Sequence, residues 1–392
     1  MKASVIIPAY NSKERLYYNL ISLNNQDCGF NIFEVIVVDN GSNDNTLEML
    51  ENFKAKFNFK FVRLEENRGI ARGRNEGIRR AVGDILIFHD SDMIASRDFI
   101  TRHLKNHEEK NIVVCGILWK RIFTFYYKEL KLSIENYLDK TVSKPDENFN
   151  LIDKYPLIDV ESIIDGSYLN KSFDLDAEFI RGLKEILKNH NDELKDYLLP
   201  WRFFLTNNAS AERNRVIEVG MFDENIVGYG FEDYDLGIRL YKSGSKFIFD
   251  NNILSVHQEH PTNNNIFETR ENINYICKKY NNNYFIDVIL VCTYGITSIN
   301  DYDFNELTKD INNMIAVSYF MPLLDIFLEL LQTCRRRYVI EGVTDINKVM
   351  PTIDIDVNKL IMEVKILRDI FGIKYFTEAM LALIKDIYNV YY

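Results

Sequence analysis

Two aspartates that follow a short apolar strand give the first chemical signal in the sequence. Residues 85–88 read Ile-Leu-Ile-Phe, an unbroken apolar run that is typical of a strand buried on both faces of a parallel sheet. Asp90 and Asp92 follow it, and ligands of open α/β sheets bind beyond the carboxyl ends of the strands. Carboxylate oxygens are the ligands that hard divalent cations such as Mg²⁺ prefer. An acidic turn in solvent is the alternative interpretation of this pair alone.

Polar residues follow two further predicted strands. Pro8-Ala9-Tyr10-Asn11 comes after the first strand, and Asp39-Asn40-Gly41-Ser42 comes after the second. A carboxylate such as Asp39 can accept a hydrogen bond from a nucleotide base, and Gly41 would let the turn approach a ligand closely. Turn formation and helix capping are the alternative for this segment. The sequence has no P-loop and no G-x-G-x-x-G motif after either strand.

Three glycines at positions 69, 73 and 77 are spaced four residues apart and therefore share one face of a predicted helix. Glycine costs about 1 kcal/mol relative to alanine inside a helix, so the stripe indicates close packing or a nearby ligand. Arg74 and Asn75 could then reach toward a diphosphate and a ribose.

The elements that must position these residues alternate between strand and helix. This order requires right-handed crossovers and predicts a mostly parallel sheet flanked by helices. The predicted strands are 3–7, 33–38, 59–64, 85–88 and 112–117, and the predicted helices are 13–26, 46–53, 70–82 and 99–108. A further strand is expected at 253–256. From residue 266 onward the alternation stops, and packed helices are expected instead.

Composition narrows the classes of partner. The chain has 392 residues and a formal net charge of −11, so a nucleic-acid backbone or an anionic membrane surface is not expected as a general partner. Five scattered cysteines without C-x-x-C spacing favour a reduced, cytoplasmic setting. Residues 314–331 are interrupted by Pro322, Asp325 and Glu329, which favours a buried helix over a transmembrane segment. No signal peptide is expected, because the first residues lead directly into a predicted strand without an apolar h-region.

Several motifs in fixed order resemble family-2 glycosyltransferases with the GT-A fold. They are PAYN, VVDNGSND, ENRGIARGRNEG, the D-S-D at 90–92, and TNNASAERNRVIEVGMFDENIVGYGFEDYDLGIRL, which is similar to galactosyltransferase-type carboxyl halves. The segment HQEHP at 257–261 is similar to bacterial chondroitin polymerase-like enzymes. The resemblance covers about residues 1–120 and 203–265. It implies a GT-A nucleotide-diphospho-sugar transferase fold with an additional C-terminal helical domain.

The resemblance also implies roles for individual residues. Asp233 would be the general base and Glu232 would contact the acceptor, while Asp90, Asp92 and His257 would hold Mn²⁺ or Mg²⁺. His260 competes with His257 for the metal, and His257 is preferred because it follows the predicted strand. The residues expected to bind the nucleotide sugar are Pro8, Ala9, Tyr10, Asn11, Asp39, Asn67, Arg68, Arg74, Asp90 and Ser91.

The acidic pair also has a simple structural interpretation. Glu232 and Asp233 precede Leu236 and Leu240 at helical spacing, so they occupy a first helical turn, where the helix dipole favours carboxylates. Relatives often have tryptophan or paired glycines before this pair, whereas this chain has Gly228-Tyr229-Gly230-Phe231. Contacts to the acceptor and to the sugar could therefore differ from those in these relatives.

The expected organisation is a transferase domain at 1–265 and a helical domain at 266–392. Residues 121–202 form an insertion that could cover the acceptor as a lid, and the helical domain could dimerise or bind the acceptor. Arg335-Arg336-Arg337 is read as a solvated basic turn, with an acidic contact as the alternative.

The expected function is metal-dependent, inverting transfer from a UDP-sugar to a glycan, such as a bacterial surface glycan, or to a polypeptide side chain. The protein is expected in the cytoplasm or peripheral to the membrane. A catalytically silent nucleotide-binding assembly protein remains the alternative. A nucleotidyltransferase would normally carry a glycine-rich loop after the first strand, and PAYNSKE lacks one.

Overall fold

A computed structural model describes most of the chain and supplies the geometry used below. The described residues are 1–117, 120–141, 154–228, 230–262, 266–280, 286–292, 297–300, 303–318, 320–339, 355–388 and 390. Within this part the strands are β1 (Ala3–Ala9), β2 (Phe33–Asp39), β3 (Asn58–Arg63), β4 (Ile85–Phe88), β5 (Met93–Ala95), β6 (Ile112–Cys115), β7 (Lys120–Ile122), β8 (Phe125–Tyr127), β9 (Lys154–Pro156), β10 (Phe173–Asp174), β11 (Ala209–Glu212), β12 (Lys246–Phe249) and β13 (Ser255–Gln258).

The helices alternate with strands in the first half of the chain and follow one another in the second. They are α1 (Lys13–Leu23), α2 (Thr46–Asn52), α3 (Ile70–Arg80), α4 (Phe99–Asn106), α5 (Lys131–Thr141), α6 (Val160–Asp165), α7 (Glu178–His190), α8 (Arg213–Glu218), α9 (Glu232–Lys242), α10 (Ile266–Lys279), α11 (Ile286–Cys292), α12 (Phe304–Val317), α13 (Met321–Val339), α14 (Val357–Phe371) and α15 (Lys374–Tyr388).

The main sheet positions the predicted site. In the described part of the chain it has seven strands in the order β12-β6-β11-β4-β1-β2-β3. All neighbours are parallel except β11, which runs antiparallel between β4 and β6. Every residue of β1, β2 and β4 is buried, as expected for central strands of an α/β sheet, whereas the edge strand β3 is partly exposed. The predicted mostly parallel sheet flanked by helices is confirmed.

A smaller sheet, which the sequence analysis did not anticipate, lies in the same unit. Its order is β10-β7-β13-β5, and β13 pairs antiparallel with β5, directly after the D-S-D motif. The strand predicted at 253–256 is observed at Ser255–Gln258. His257 therefore lies inside a strand instead of following one.

The three glycines of the predicted stripe differ in their surroundings, and Gly69 lies just before α3 with φ of +88°. A Cβ at Gly77 would lie 2.6 Å from Ile6 Cγ2, and one at Gly73 would lie 3.5 Å from Pro8 Cβ. Because α3 lies this close to β1, glycine is required at position 77. Close packing thus explains Gly77, whereas a Cβ at Gly73 would have only ordinary contacts.

The chain divides into two compact units. The first comprises residues 1–180, 190–195 and 200–265, and the second comprises 181–189, 196–199 and 266–392. The second unit is helical over its described residues from 266 onward, as expected. The arginines at 335–337 do not form a turn, because they lie within α13, where Arg335 is buried and donates to Asn274 and Gln332. The functional division of the chain at residue 265 stays a prediction.

None of the helices in the described ranges has the length and apolar character needed to cross a bilayer.

Candidate active site

The carboxyl ends of β1 and β2 lie side by side and bring Asp39 to the edge of the sheet. Ala9 pairs with Asp39, whose side chain is completely buried. Asp39 Oδ1 accepts from the Ser42 backbone N–H at 2.9 Å. Asp39 Oδ2 has no hydrogen-bond partner among the described residues, and Arg63 Nη1 lies 3.8 Å from it. A buried carboxylate oxygen without a donor is costly, so this atom is suited to an N–H group of a ligand.

The loop after β2 is tied to the segment before α3. Asn40 Nδ2 donates to Asn67 Oδ1 at 2.8 Å and to the Gly69 carbonyl at 3.0 Å, and its Oδ1 accepts from the Arg68 backbone N–H. Gly41 has φ of +81°, and a Cβ there would lie 2.8 Å from the Glu66 backbone. Gly41 is thus required by its own backbone geometry and by the neighbouring chain.

The residues at the end of β1 and directly after it differ in their exposure. Pro8 and Ala9 are buried within the strand, whereas Tyr10 is 46% exposed. Asn11 closes the neighbouring loops, because its backbone N–H donates to Ser42 Oγ and its Oδ1 accepts from the Asn43 N–H, both at 2.9 Å. Within this set, Tyr10 presents the largest free surface to a ligand.

The other predicted nucleotide contacts are arranged around this edge. Arg68 is exposed and pairs with Glu66 at 2.9 Å, and Asn67 is exposed beside it. Ser91 is buried between the two aspartates of the D-S-D motif.

Arg74 and Asn75 are not free to reach a diphosphate and ribose as the sequence analysis expected. Arg74 is fully buried and donates from Nη2 to Asp90 Oδ1 at 2.8 Å and from Nη1 to Glu232 Oε1 at 2.7 Å. Asn75 exchanges two hydrogen bonds with the Phe222 backbone and donates to Glu224. Both side chains of α3 therefore organise the protein around the site.

Three side chains converge on one point beside β4 and could hold a metal ion. One ligand atom each from Asp92, His257 and His260 lie within 4.8 Å of one another. His260 Nε2 lies 3.0 Å and His257 Nε2 lies 3.6 Å from Asp92 Oδ2. The structure thus brings together both histidines between which the sequence analysis chose. Asp90, the third predicted ligand, is engaged by Arg74 through Oδ1.

Pairing of β13 with β5 positions the histidines. His257 pairs with Met93, and the Gln258 backbone N–H donates to the Asp92 carbonyl at 2.8 Å. His257 Nδ1 lies 3.1 Å from Glu259 Oε1, and His260 Nδ1 lies 2.9 Å from the Pro261 carbonyl. Partners on Nδ1 orient both rings with Nε2 toward Asp92, as ligand histidines in metal sites are oriented.

Attraction between Asp92 and the two histidines dominates the electrostatics of this cluster. Burial alone would raise the pKa of the Asp92 carboxyl, but His257 and His260 hold that pKa well below its usual range. Burial opposes protonation of His257, yet the Asp92 carboxylate raises the pKa of His257 to about 9.

The acidic pair lies in the first turn of α9, as predicted. Phe231, directly before it, has φ of +74°, so the chain turns sharply into the helix. Glu232 is buried and paired with Arg74, while Asp233 is half-buried. Burial, followed by the neighbouring Glu232 charge, raises the pKa of Asp233 to about 7. A carboxylate with a pKa near neutrality is suited to act as a general base.

Sequence reasoning missed some members of the site. Arg63 at the end of β3 was not selected, although it faces Asp39 and donates to the Ser42 carbonyl at 2.9 Å. Glu259 was not selected either. It lies two residues after His257 in the segment HQEHP, and this spacing could have indicated it as a partner for a histidine ligand. Arg121 joins this group through a 3.4 Å ion pair with Glu259.

Comparison with known proteins identifies the family. The model of glycosyl transferase family 2 matches residues 4–166. The uncharacterized glycosyltransferase YfnE of Bacillus subtilis (strain 168) is 47% identical over 398 residues, which cover 100% of this chain and 98% of that relative. The chain belongs to glycosyltransferase family 2. The predicted family, the GT-A fold and the predicted class of enzyme, a glycosyltransferase, are confirmed.

Other similarities are more distant. The chondroitin synthase of Escherichia coli is 28% identical over 265 residues, which cover 67% of this chain but 35% of that enzyme. The chain thus spans about a third of that relative's length. A solved mannosyltransferase from Pyrobaculum calidifontis, in complex with GDP-Man and Mn²⁺, aligns over 100% of this chain and 88% of its own at 15% identity, with a TM-score of 0.48.

Proposed function

We propose that this glycosyltransferase transfers a sugar from a UDP-sugar to a glycan hydroxyl, with the help of a divalent cation and with inversion at the anomeric carbon. The observation that carries the proposal is the placement of three groups in one unit: the buried Asp39, the cluster of Asp92 with His257 and His260, and the half-buried Asp233. They correspond to a base-binding group, a metal site and a general base.

The choice of UDP rests on the unpaired oxygen of Asp39. Because Oδ1 already accepts from Ser42, one oxygen remains, which fits the single N3–H donor of uracil better than the two adjacent donors of guanine. The contact requires the loop above Asp39 to open, since the carboxylate has no exposed surface. The exposed Arg63 lies beside this carboxylate, with Nη1 3.8 Å from Oδ2.

The cation proposal rests on the donor set of the Asp92 cluster. Two imidazoles with one carboxylate suit a transition-metal dication such as Mn²⁺ better than Mg²⁺, which prefers oxygen ligands. Asp92, His257 and His260 would hold the cation, whereas Asp90 is engaged by Arg74 through Oδ1. When bound there, the cation supplies Lewis acidity to the leaving diphosphate.

Asp233 takes the proton of the acceptor hydroxyl in the proposed reaction. With a pKa of about 7, the carboxylate is ionised in a large fraction of molecules at neutral pH and still binds a proton well. Attack by the hydroxyl oxygen from the face opposite the leaving UDP inverts the anomeric carbon. Glu232 is held beside the base by Arg74.

A glycan acceptor is proposed because the similarity extends over two thirds of this chain to a chondroitin synthase, an enzyme named for a glycan product. A polypeptide acceptor is the competing outcome of the test below.

Turnover with a panel of donors tests the proposed function. The full chain is incubated with UDP-glucose, UDP-galactose, UDP-N-acetylglucosamine, UDP-glucuronate and GDP-mannose, with Mn²⁺ or with EDTA, and nucleotide release is measured without acceptor and with glycan or peptide acceptors. We expect release from a UDP-sugar that EDTA abolishes and that Asp92→Asn lacks. Binding of UDP without turnover of any donor would favour the silent assembly protein, and release only from GDP-mannose would overturn the choice of nucleotide.

A further inference from the structure

The guanidinium of Arg74 connects two parts of the site that lie far apart in the sequence. Its Nη2 donates to Asp90 Oδ1 at 2.8 Å, on the metal side, and its Nη1 donates to Glu232 Oε1 at 2.7 Å, in the first turn of α9. Only 1% of Arg74 is exposed, and its guanidinium lies 5.4 Å from the centre of the Phe222 ring. Arginine has a planar fork of donors that can hold two carboxylates in fixed relative positions, whereas lysine is a point charge.

Other contacts fix the position of α3, the helix that carries Arg74. Gly77 allows α3 to lie against β1, since a Cβ there would meet Ile6 Cγ2 at 2.6 Å. Asn75 holds the backbone of Phe222 through two hydrogen bonds of 2.9 Å, and Arg72 and Arg79 pair with Glu224. The segment that leads into α9 is thus anchored on the same helix.

We propose that Arg74 is a positioning residue that fixes the acidic pair of α9 relative to the D-S-D motif. This inference rests on the proposed function, because it assigns Asp233 as the base. It replaces the expectation that Arg74 binds the diphosphate.

The charges around Asp233 show how Arg74 acts on it. Glu232 on the same helix and Asp90 beyond β4 raise the pKa of Asp233, after burial as the largest cause, and Arg74 of α3 lowers it. Arg74 is therefore the cation that offsets two neighbouring carboxylates. Its own pKa is raised by Asp90 and Glu232 despite burial, so it stays charged at any working pH.

A stability titration tests the proposal without substrate. The melting temperatures of the wild type and of Asp233→Asn are measured from pH 5 to 9. The midpoint, defined as the pH at which the slope of their difference against pH falls to half its maximum, reports the titration of Asp233 in the folded protein. The same pair is then measured in the Arg74→Lys background. Because lysine reaches only one of the two carboxylates, we expect the midpoint to move upward by about one pH unit or more. An unchanged midpoint in a folded Arg74→Lys protein would overturn the proposal.

Two further variants complete the experiment. Glu232→Gln removes the negative neighbour, so the midpoint should move downward by about one pH unit. If Arg74→Lys does not fold, Glu232→Gln becomes the deciding variant, and an unmoved midpoint in it would overturn the proposal. Arg72→Lys is the matched control on the same helix, since it pairs with Glu224 and should leave the midpoint in place.

Activity provides a separate readout. In Arg74→Lys the acid limb of the pH–rate profile should move upward with the stability midpoint, and raising the pH should restore part of the rate. A loss of rate that is equal at every pH would reduce Arg74 to a structural role. Failure to find any turned-over donor would contradict the proposed function alone, because the stability titration needs no donor.

Discussion

Replacing Asp233 by asparagine should make the protein more stable and much less active. The usual pKa of an aspartate carboxyl is 3.8, and burial beside Glu232 raises that of Asp233 to about 7. A difference of about three units corresponds to about 4 kcal/mol at most, and solvent access to this half-buried group reduces the figure to about 1–3 kcal/mol. Asparagine has the same size and no charge, so it avoids this cost.

The effect should depend on pH in one direction. Between about pH 4 and 7 the folded wild type binds a proton that the unfolded chain has released, so its stability falls as the pH rises through this window and is constant above it. The difference in melting temperature between Asp233→Asn and the wild type should therefore be small at pH 5 and reach several degrees at pH 8. Glu48→Gln is a matched control, because Glu48 is an exposed carboxylate in the first turn of α2.

The same variant tests catalysis. A positioned base contributes about 10²–10⁴-fold to rate, so turnover should fall by that factor. The affinity for UDP should stay constant, because the base interacts with the acceptor chiefly in the transition state. Asp235 is unsuited as a neighbouring control, because it is buried and its carboxylate pairs with Arg239 at 2.7 Å. A variant that keeps its turnover, or whose added stability is the same at pH 5 and 8, would refute the assignment of Asp233.

Three further predictions concern the packing and the site. Gly77→Ala should destabilise the protein by about 1–3 kcal/mol through the clash with Ile6. Gly73→Ala, whose Cβ would have ordinary contacts, should be neutral or stabilise the protein by up to about 1 kcal/mol. Denaturant unfolding of both variants measures this contrast, and equal losses of stability would contradict it. Mn²⁺ should raise the melting temperature of the wild type but not of Asp92→Asn, since a ligand that binds only the native state stabilises it, and retention of the shift would place the metal elsewhere. His257→Gln and His260→Gln should each weaken this Mn²⁺ effect, by about 10-fold or more in affinity measured by calorimetry, and a variant with unaltered affinity would remove that histidine from the site.

The sequence was sufficient to predict the strands that carry the site. Buried parallel strands such as Ile85–Phe88 have an unbroken apolar pattern, and their carboxyl ends must meet at one edge of the sheet. Asp39, at the end of β2, and Asp90, after β4, therefore lie on either side of β1 at one edge of the observed sheet. The acidic pair at the start of α9 was likewise predictable from helical spacing.

Short strands and long-range contacts could not be predicted in this way. Strand β11 has the sequence Ala-Ser-Ala-Glu, which lacks the branched and aromatic residues that favour strands, and it forms because β4 and β6 flank it. The three-residue strand β5 and its pairing with β13 determine which histidines face Asp92. Similarly, Arg74 gave no signal of its partner Glu232, which is 158 residues away in the chain.

Some expectations are not tested by the geometry. The roles of residues 121–202 and of the helical domain at 266–392, the oligomeric state and the location of the protein stay predictions. A chain cut after residue 265 would also leave residues 181–189 and 196–199 without the unit to which they belong. Removal of the helical domain is therefore expected to leave these two segments without their packing partners.

Calorimetric titration with UDP is the most direct test of the proposed donor site. UDP and GDP are titrated into the wild type, Asp39→Asn and Asp92→Asn, with Mn²⁺ and with EDTA. We expect the wild type to bind UDP in preference to GDP and only with Mn²⁺, Asp39→Asn to lose the preference for UDP, and Asp92→Asn to lose the dependence on Mn²⁺. Binding of UDP that is unaffected by Asp39→Asn, by Asp92→Asn and by EDTA would contradict the placement of the donor at this edge of the sheet.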